Sequence, residues 1–581
     1  MSLATLRERV HAESTAPVRT TLFRVVLGDR YGQLLFLSTL CLFGLVWRTE
    51  IFITDTYAIA NGLYALTSGD VFLSEAVYGP TLDTPGAYQV NGGRIARNYG
   101  AIVPSLLFWV LLEGVAAVLS LRIALVGLWC LALLGVIVTL ADIRDNDTFA
   151  LAGGVVVLLV FVGNVVLAGP LRTNATHLYA LQLFHMTVAA FGPVLLYRLL
   201  SRLESRRLGM LGATLFVLAT PLALWAPVPK RHALTSTAVL GVVYALYRSR
   251  TAADGALFTS PVPFRALAYA LVGLYAWVHA PAALLLLVVL FAVDVPTARD
   301  NSPRTLALVG GAFLLSLLPF ALTNVALSGS PIEPPRLLAT SAGSGGVESA
   351  GGGSTSPFEP LVSPLLSATA PLRILGQQLV DGLTVLFSTP EAVYHTLVRS
   401  GDAASALDIG GEESVNLTVL ESAPILGALV GGLPAIWHRR DTLTLSRTLP
   451  ARTTVDAFAV LTIVTMALLY ASRLPIHAQV TVRYLFPVYP LGVYLVARAP
   501  VVRRTLDTRW RVFLWSTAIA VFIGGQLLVV FIFWTVVGVG EAFQFHALLA
   551  LISGTALAVW ASLGRSDGAF GRVGAVLLAL P

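Results

Sequence analysis

"AIVPSLLFWVLLEGVAAVLS", residues 101–120, carries a single charge, Glu113, in its whole length. That is the size and apolarity of a helix able to cross a bilayer. Whether it crosses decides the fold, because each crossing reverses the side on which every later loop emerges. Arginine settles the question. Short cytoplasmic loops collect Lys and Arg, and the basic segments here are 1–30, 199–207, 249–265, 294–304, 438–454 and 498–511. If 101–120 crossed, all the later ones would face outward. The stretch therefore reads as a juxtamembrane or re-entrant helix within a large first external loop, 49–121. Such backbone is tolerated only against protein or a wet cavity, so this loop is expected to be structured.

The rest of the chain fits a membrane setting. It has 581 residues, 56% hydrophobic and only 12% charged, with a mean hydropathy of +0.79. Soluble domains carry about a quarter charged residues. Apolar runs recur at 32–48, 123–141, 149–169, 178–198, 208–225, 233–248, 266–279, 280–293, 305–323, 419–437, 455–471, 484–497, 512–537 and 545–563. The fold class expected is all-α, a polytopic transmembrane helical bundle of about 12–14 spans with structured external loops. The net charge of +7 is almost all arginine, and Lys230 is the single lysine. Cys41 and Cys130 lie inside apolar runs, which argues against a disulfide framework or a zinc site. No A-x-A-type site follows the first run, so it reads as a retained helix. Nothing calls for a nucleic-acid partner.

Two further features follow from the same parity argument. Residues 264–293 have arginine on both sides, so they must enter and leave one face as a hairpin of two short helices turning at 277–281. A second external segment, 324–418, passes through the linker-like "SAGSGGVESAGGGSTSPFEP". The acidic loop 142–148 fits neither side. No internal repeat marks an inverted-repeat transporter. The division expected is a catalytic transmembrane region over 1–500, including both external loops, followed by C-terminal transmembrane helices over 501–581.

Candidate chemistry gathers on the external side. The first span leads to Asp55, and the loop behind it holds Arg94 and Arg97. "WAPVPKRHALT" (225–235) brings Lys230, Arg231 and His232, and "PIHAQVTVRYLFPVYP" (475–490) brings His477, Arg483 and Tyr484. One such charge alone reads as an interfacial anchor. Cations gathered outside, against the positive-inside bias and beside a carboxylate, suit a phosphate-bearing substrate: Arg and Lys hold phosphate and the carboxylate accepts a proton. No Walker loop, dinucleotide fingerprint, H-E-x-x-H or G-x-S-x-G stands in a credible context. Sequons occur at Asn174 and Asn416.

The order of landmarks resembles GT-C-type integral-membrane glycosyltransferases, the class that includes protein mannosyltransferases and aminoarabinose transferases. Those landmarks are "FITDTYAIANGLY" (52–64), "NGGRIARNYGAIVPSLLFWVLL" (91–112), "TNVALSGSP" (323–331), "VLESAPILGALVGGLPAIW" (419–437) and "HAQVTVRYLFPVYPL" (477–491). The resemblance implies transfer of a sugar from a polyprenyl-phosphate carrier to a protein, lipid or glycan acceptor, on the outer face of the cell membrane. Asp55 would be the general base of an inverting displacement. Lys230, Arg231, His232 and Arg483 would steady the departing phosphate, with Arg94, Arg97, His477 and Tyr484 in the same substrate site. The base and the cations would then face one cavity, about 5–12 Å apart. The chain departs from the family in having "NYGAIVPS" where an aspartate or histidine-proline pair is usual, and it has no clear DXD pair. No cofactor is called for; a divalent metal is compatible but not indicated. Two other readings stay open: a transporter or lipid flippase, which would place ionisable groups near mid-membrane, and a non-catalytic scaffold.

Overall fold

The computed structural model describes residues 23–90, 93–97, 99–167, 169, 171, 175–251, 260–331, 359–400, 416–432, 449–471, 480–535 and 538–580. His477, Asn174 and, within the 324–418 segment, residues 332–358 and 401–415 lie outside them. The chain is helical nearly throughout. In order come α1 (Arg30–Leu45), α2 (Asp55–Thr67), a hairpin of β1 (Tyr88–Val90) and β2 (Gly93–Ile95), α3 (Tyr99–Ala116), α4 (Leu121–Arg144), α5 (Asp147–Leu167), α6 (Thr176–Leu203) and α7 (Arg206–Leu218). There follow α8 (Arg231–Thr251), α9 (Pro261–Thr297), α10 (Pro303–Ser316), α11 (Leu318–Ser328), α12 (Glu359–Ser388), α13 (Pro390–Leu397), α14 (Ala451–Ala471) and α15 (Val488–Arg498). The last are α16 (Pro500–Ile519), continued by Gly525–Thr535, then α17 (Val539–Leu563) and α18 (Gly568–Leu577).

Nine helices among the described residues are long and apolar enough to cross a membrane. Their surfaces explain the environment. Of the most apolar stretch of α4 only 11% is buried, of α5 6%, and of Pro500–Thr535 none. Leu, Val, Phe and Trp side chains cover these helices on the outside. Water would not tolerate that much contiguous apolar surface, whereas a hydrocarbon layer requires it of a helix whose backbone is internally satisfied. The all-α, multi-pass membrane reading holds. Several shorter spans of the sequence reading are broken: 208–225 is α7 plus the turn Leu222–Trp225, and 419–437 opens with Val419–Ser422 and the 3₁₀ helix Pro424–Gly431.

The bundle has two chemically different ends. At one, the arginine-rich segments converge. Tyr197 donates to Asp29 at 2.7 Å, Arg30 pairs with Asp142 at 3.7 Å, Arg207 donates to the Asp507 carbonyl at 3.1 Å, and Glu204 receives Arg498 and Arg503. The acidic 142–148 turn therefore belongs to this arginine end. Helix α9 has the length of a straight rod, yet Arg265 near its start meets Asp294 near its finish at 2.7 Å. Its chain reverses at His279, whose φ of −157° is not helical. It is the expected hairpin, with both feet at the arginine end and its turn at the other. Arg250 of α8 also pairs with Asp294 at 2.8 Å, Tyr269 donates to it at 3.0 Å, and Asp294 is wholly buried.

Helix α3 takes an unusual course. Arg97, just before it, reaches Asp55, and a Cβ at Gly100 would stand 2.6 Å from the Trp277 backbone, so its first turn is pressed against the hairpin turn of α9. Further along, Trp109 stacks on His177 at the start of α6, 5.7 Å between centroids. The chain then enters α4, whose opposite end carries Asp142 at the arginine end. Both ends of α3 thus lie at the same end of the bundle. Its inner side joins Ile59, Leu63, Ile95, Leu178 and Tyr179 in a core beneath the first loop.

The carboxylate at the foot of the α9 hairpin gives a first test. Breaking a buried ion pair by removing one partner costs about 3–5 kcal/mol, because the remaining charges are left uncompensated. Asp294→Ala should lower thermal stability in detergent by that order, and an unchanged melting temperature would show that the Arg250–Asp294–Arg265 cluster does not hold the hairpin.

Candidate active site

Three separate parts of the chain meet at Asp55. Helix α2 begins at this residue, with its carboxylate in the first turn. A carboxylate is favoured there by the exposed N–H groups and the helix dipole. Buried Asn61, two turns on, anchors the following loop by donating to the Tyr78 carbonyl and accepting from the Tyr78 N–H, both at 2.8 Å. The β1–β2 hairpin then delivers Arg97 to Asp55. Gly86 makes room for it: a Cβ there would lie 2.8 Å from Arg97 Nε, and its φ of +97° already disfavours a side chain. From the other direction, the turn before α8 presents buried Lys230 to the same carboxylate oxygen.

The electrostatics follow from that contact. Burial alone would raise the Asp55 carboxyl, but the charges of Lys230 and Arg97, with Arg483 behind them, outweigh it and hold the group below the usual aspartate value. Lys230 is moved the other way. Burial, then the Arg97 charge, push its ammonium well below an ordinary lysine, against the pull of Asp55. An added anion would favour the charged form of Lys230.

Beside this pair lies a cleft lined by Arg231, His232, Tyr275, His279, Arg483 and Tyr484. The Tyr484 ring has the Arg231 and Arg483 guanidiniums each 5.3 Å from its centroid, and Tyr470 stacks on it at 5.4 Å. His232 is buried against Trp225 at 5.2 Å. Arg483 is buried too, and its Nε and Nη1 have no hydrogen-bond partner among the described residues. Its position is tightly fixed. Asn416 and Leu417 bridge in parallel to Val480 and Thr481, and Trp225 donates to Thr481 at 2.9 Å. Val480 is held at φ +61°, a strained conformation for a β-branched residue that persists only when its surroundings impose it.

Of the candidates read from sequence, the structure brings Asp55, Arg97 and Lys230 into contact, and Arg231, His232, Arg483 and Tyr484 into the adjoining cleft. Arg94 goes elsewhere: it pairs with exposed Asp83 at 3.7 Å. The gap of about 5–12 Å expected between Asp55 and the 230–232 or 483 cluster is absent at Lys230, which touches the carboxylate directly, as Arg97 also does. The cleft, too, holds little more than a water molecule in this form, not a phosphosugar. Residues that sequence reading missed are Tyr275, Tyr470 and above all His279. His279 Nδ1 accepts the Ala282 N–H at 3.2 Å, capping the second half of α9. A histidine two residues before Pro281, inside an apolar run, was the available signal. No group of His, Cys, Asp and Glu able to hold a metal occurs among the described residues.

The sign of the Asp55 shift sets its pH behaviour. A depressed folded value means that the stability it contributes is complete above the unfolded aspartate value of about 3.9 and is lost only as pH falls through the lower folded value. Infrared difference spectra of wild type minus Asp55→Asn should therefore show no protonated-carboxyl band between about pH 7 and pH 5. A band appearing in that window would mean that the cations do not control this carboxylate.

No protein-family model matches the chain, and no curated protein does. Among solved structures it is similar to ArnT from Cupriavidus metallidurans bound to undecaprenyl phosphate, with 12% identity over 72% of this chain and 63% of that one, at a TM-score of 0.33. It is also similar to the archaeal oligosaccharyltransferase AglB from Archaeoglobus fulgidus in complex with an inhibitory peptide and a dolichol-phosphate. There the identity is 14% over 70% of this chain and 47% of that one, with a TM-score of 0.32. The chain thus spans less than two thirds of either structure.

Proposed function

We propose that this protein is a membrane glycosyltransferase that moves a sugar from a polyprenyl-phosphate carrier to a hydroxyl acceptor, with Asp55 as general base. The observation that carries the reading is the charge balance around Asp55 among the described residues: one carboxylate there against Arg97, Lys230, Arg231 and Arg483, with two Arg483 nitrogens unpartnered among those residues. Buried cations in excess of their counter-ions form a site awaiting an anion, and a phosphate diester supplies one.

The mechanism is an exchange of partners. The carrier phosphate, held by Arg231 and Arg483, draws Lys230 toward itself and loosens its hold on Asp55. The freed carboxylate then takes the acceptor's hydroxyl proton. The acceptor oxygen bonds to the anomeric carbon as the carbon–oxygen bond to phosphate breaks, and the electron pair leaves with the phosphate. Donors placed where that charge grows stabilise the transition state, and one displacement inverts the anomeric centre. His232 and Tyr484 shape the phosphate side.

In this reading the Asp55 end faces outward and the arginine end faces the cytoplasm, with α3 as a juxtamembrane helix roofing the site and both external loops belonging to the catalytic region. A transporter would place its ionised groups half-way along the bundle. Among the described residues the buried Arg, Lys, Asp and Glu side chains gather at the two ends.

General-base assistance is typically worth about 10²–10⁴-fold. Asp55→Asn should lose transfer from a radiolabelled polyprenyl-phosphate sugar in proteoliposomes by that order while still binding undecaprenyl phosphate, and Arg483→Ala should weaken both. Near-normal transfer by Asp55→Asn would reduce the residue to an anchor. Sidedness has its own readout, since the two native cysteines are buried. A cysteine at exposed Ser74 should react with an impermeant maleimide in intact cells, and one at exposed Thr508 only after lysis. The reverse pattern would turn the protein over.

A further inference from the structure

Lys230 stands on a partition. Its neighbour Arg231 lines the cationic cleft. Its other neighbour, Pro229, lines a second and larger cavity of about 250 Å³ that shares no lining residue with the first. This cavity lies between residues 46–52 at the end of α1, Gln182 of α6, and residues 223–229. Phe52, from its wall, is three residues before Asp55. The Asp55–Lys230 pair therefore joins the walls of two compartments of opposite chemistry.

The second compartment is apolar within. Phe52, Leu224, Pro227, Val228 and Pro229 present hydrocarbon. Its one interior amide is already engaged: Gln182 accepts from Trp47 Nε1 at 2.8 Å and donates to the Arg48 carbonyl at 2.6 Å. The charged lining residues, Arg48 and Glu50, are exposed, with the Arg48 guanidinium 4.8 Å from the Phe52 ring centroid. Apart from Arg48 and Glu50 on its exposed side, such a wall offers almost no free donors or acceptors. A glycan or an extended peptide bound there would leave its own polar groups unpaired, at a cost of about 1–3 kcal/mol for each. An alkyl chain would lose nothing and would bury its surface.

We infer that this cavity receives the acceptor, and that the acceptor is an amphiphile: a hydroxyl at the head of an apolar chain. The inference rests on the transfer reading above and narrows its acceptor class. In-line displacement requires the incoming oxygen to approach opposite the departing phosphate. With the phosphate held by Arg231 and Arg483 in the cationic cleft, the acceptor comes from beyond the Asp55–Lys230 pair, where the apolar cavity lies. Its hydroxyl proton passes to Asp55, its oxygen bonds to the anomeric carbon, and the bond to phosphate breaks toward the arginines.

The test uses the full-length protein in lipid nanodiscs and a long-chain primary alkyl alcohol carrying a diazirine. On irradiation the label should enter residues 46–52 and 223–229. Filling the cavity by Leu224→Trp, or separately by Ala223→Phe, should cut that labelling about tenfold and leave undecaprenyl phosphate binding unchanged. Excess undecaprenyl phosphate should not displace the label. If it does, the cavity holds the carrier's own chain and the inference is wrong. Label that never enters these segments also overturns it. If wild-type protein binds no undecaprenyl phosphate, the transfer reading itself falls, and its acceptor with it.

Discussion

A carboxylate that is mostly withdrawn from water must find positive charge, and Asp55 finds it in two places remote in sequence. Arg97 arrives from the first loop and Lys230 from the turn before α8. Each contact fixes more than itself. The Arg97 contact requires the β1–β2 hairpin to fold back over α2, which brings the first turn of α3 against the turn of α9. The Lys230 contact orients the turn whose next residues, Arg231 and His232, line the cleft. A buried ion pair is poor evidence of net stability, but it is a strong device for register, because every misalignment leaves an uncompensated charge. Here it sets the register of the first loop against the bundle.

The arginine end solves the same electrostatic problem in another way. There the cations are met by Asp294, Glu204, Asp456, Asp142 and Asp29, and most of these contacts join the ends of different helices. The cations at that end serve topology and packing. At the other end Asp55 is shared by Arg97 and Lys230, with Arg231 and Arg483 nearby in the cleft.

Much of this was legible in the sequence, for identifiable reasons. Arginine placement is a strong signal because it repeats over many loops, so it located the α9 hairpin and set α3 apart from ordinary spans, although α3 is as apolar as a crossing helix. Asp55 and the 230–232 and 483–484 segments could be picked out because ionisable residues bordering apolar runs are rare. Pairing was not legible. Nothing in the spacing says that Arg97 meets Asp55 while Arg94, three residues earlier, turns to Asp83; strand alternation and the room at Gly86 decide that in three dimensions. Nor could periodicity show His279 at the cleft, since its role depends on the exact turn of a hairpin buried between other helices. The broken spans 208–225 and 419–437 were likewise hidden, because an apolar run looks the same whether its backbone continues or turns.

The direct Asp55–Lys230 contact, at odds with the gap expected from a filled site, becomes intelligible once the excess of cations is considered. Among the described residues Asp55 is shared by Lys230 and Arg97, while Arg231 and Arg483 stack around Tyr484. Aromatic faces satisfy a guanidinium only in part, and two nitrogens of Arg483 remain unmatched. In the transfer reading such a site would be held shut by its proposed base, Asp55. An anion that engages Arg483 and Lys230 relieves the least satisfied groups first and, by the same act, releases the carboxylate. In the transfer reading proposed above, the proton acceptor would thereby be uncovered only with the phosphate in place. In that reading a base so masked would be poorly placed to activate a stray water molecule, and coupling of that kind would need no hinge or lid, only fewer carboxylates than cations around one buried charge.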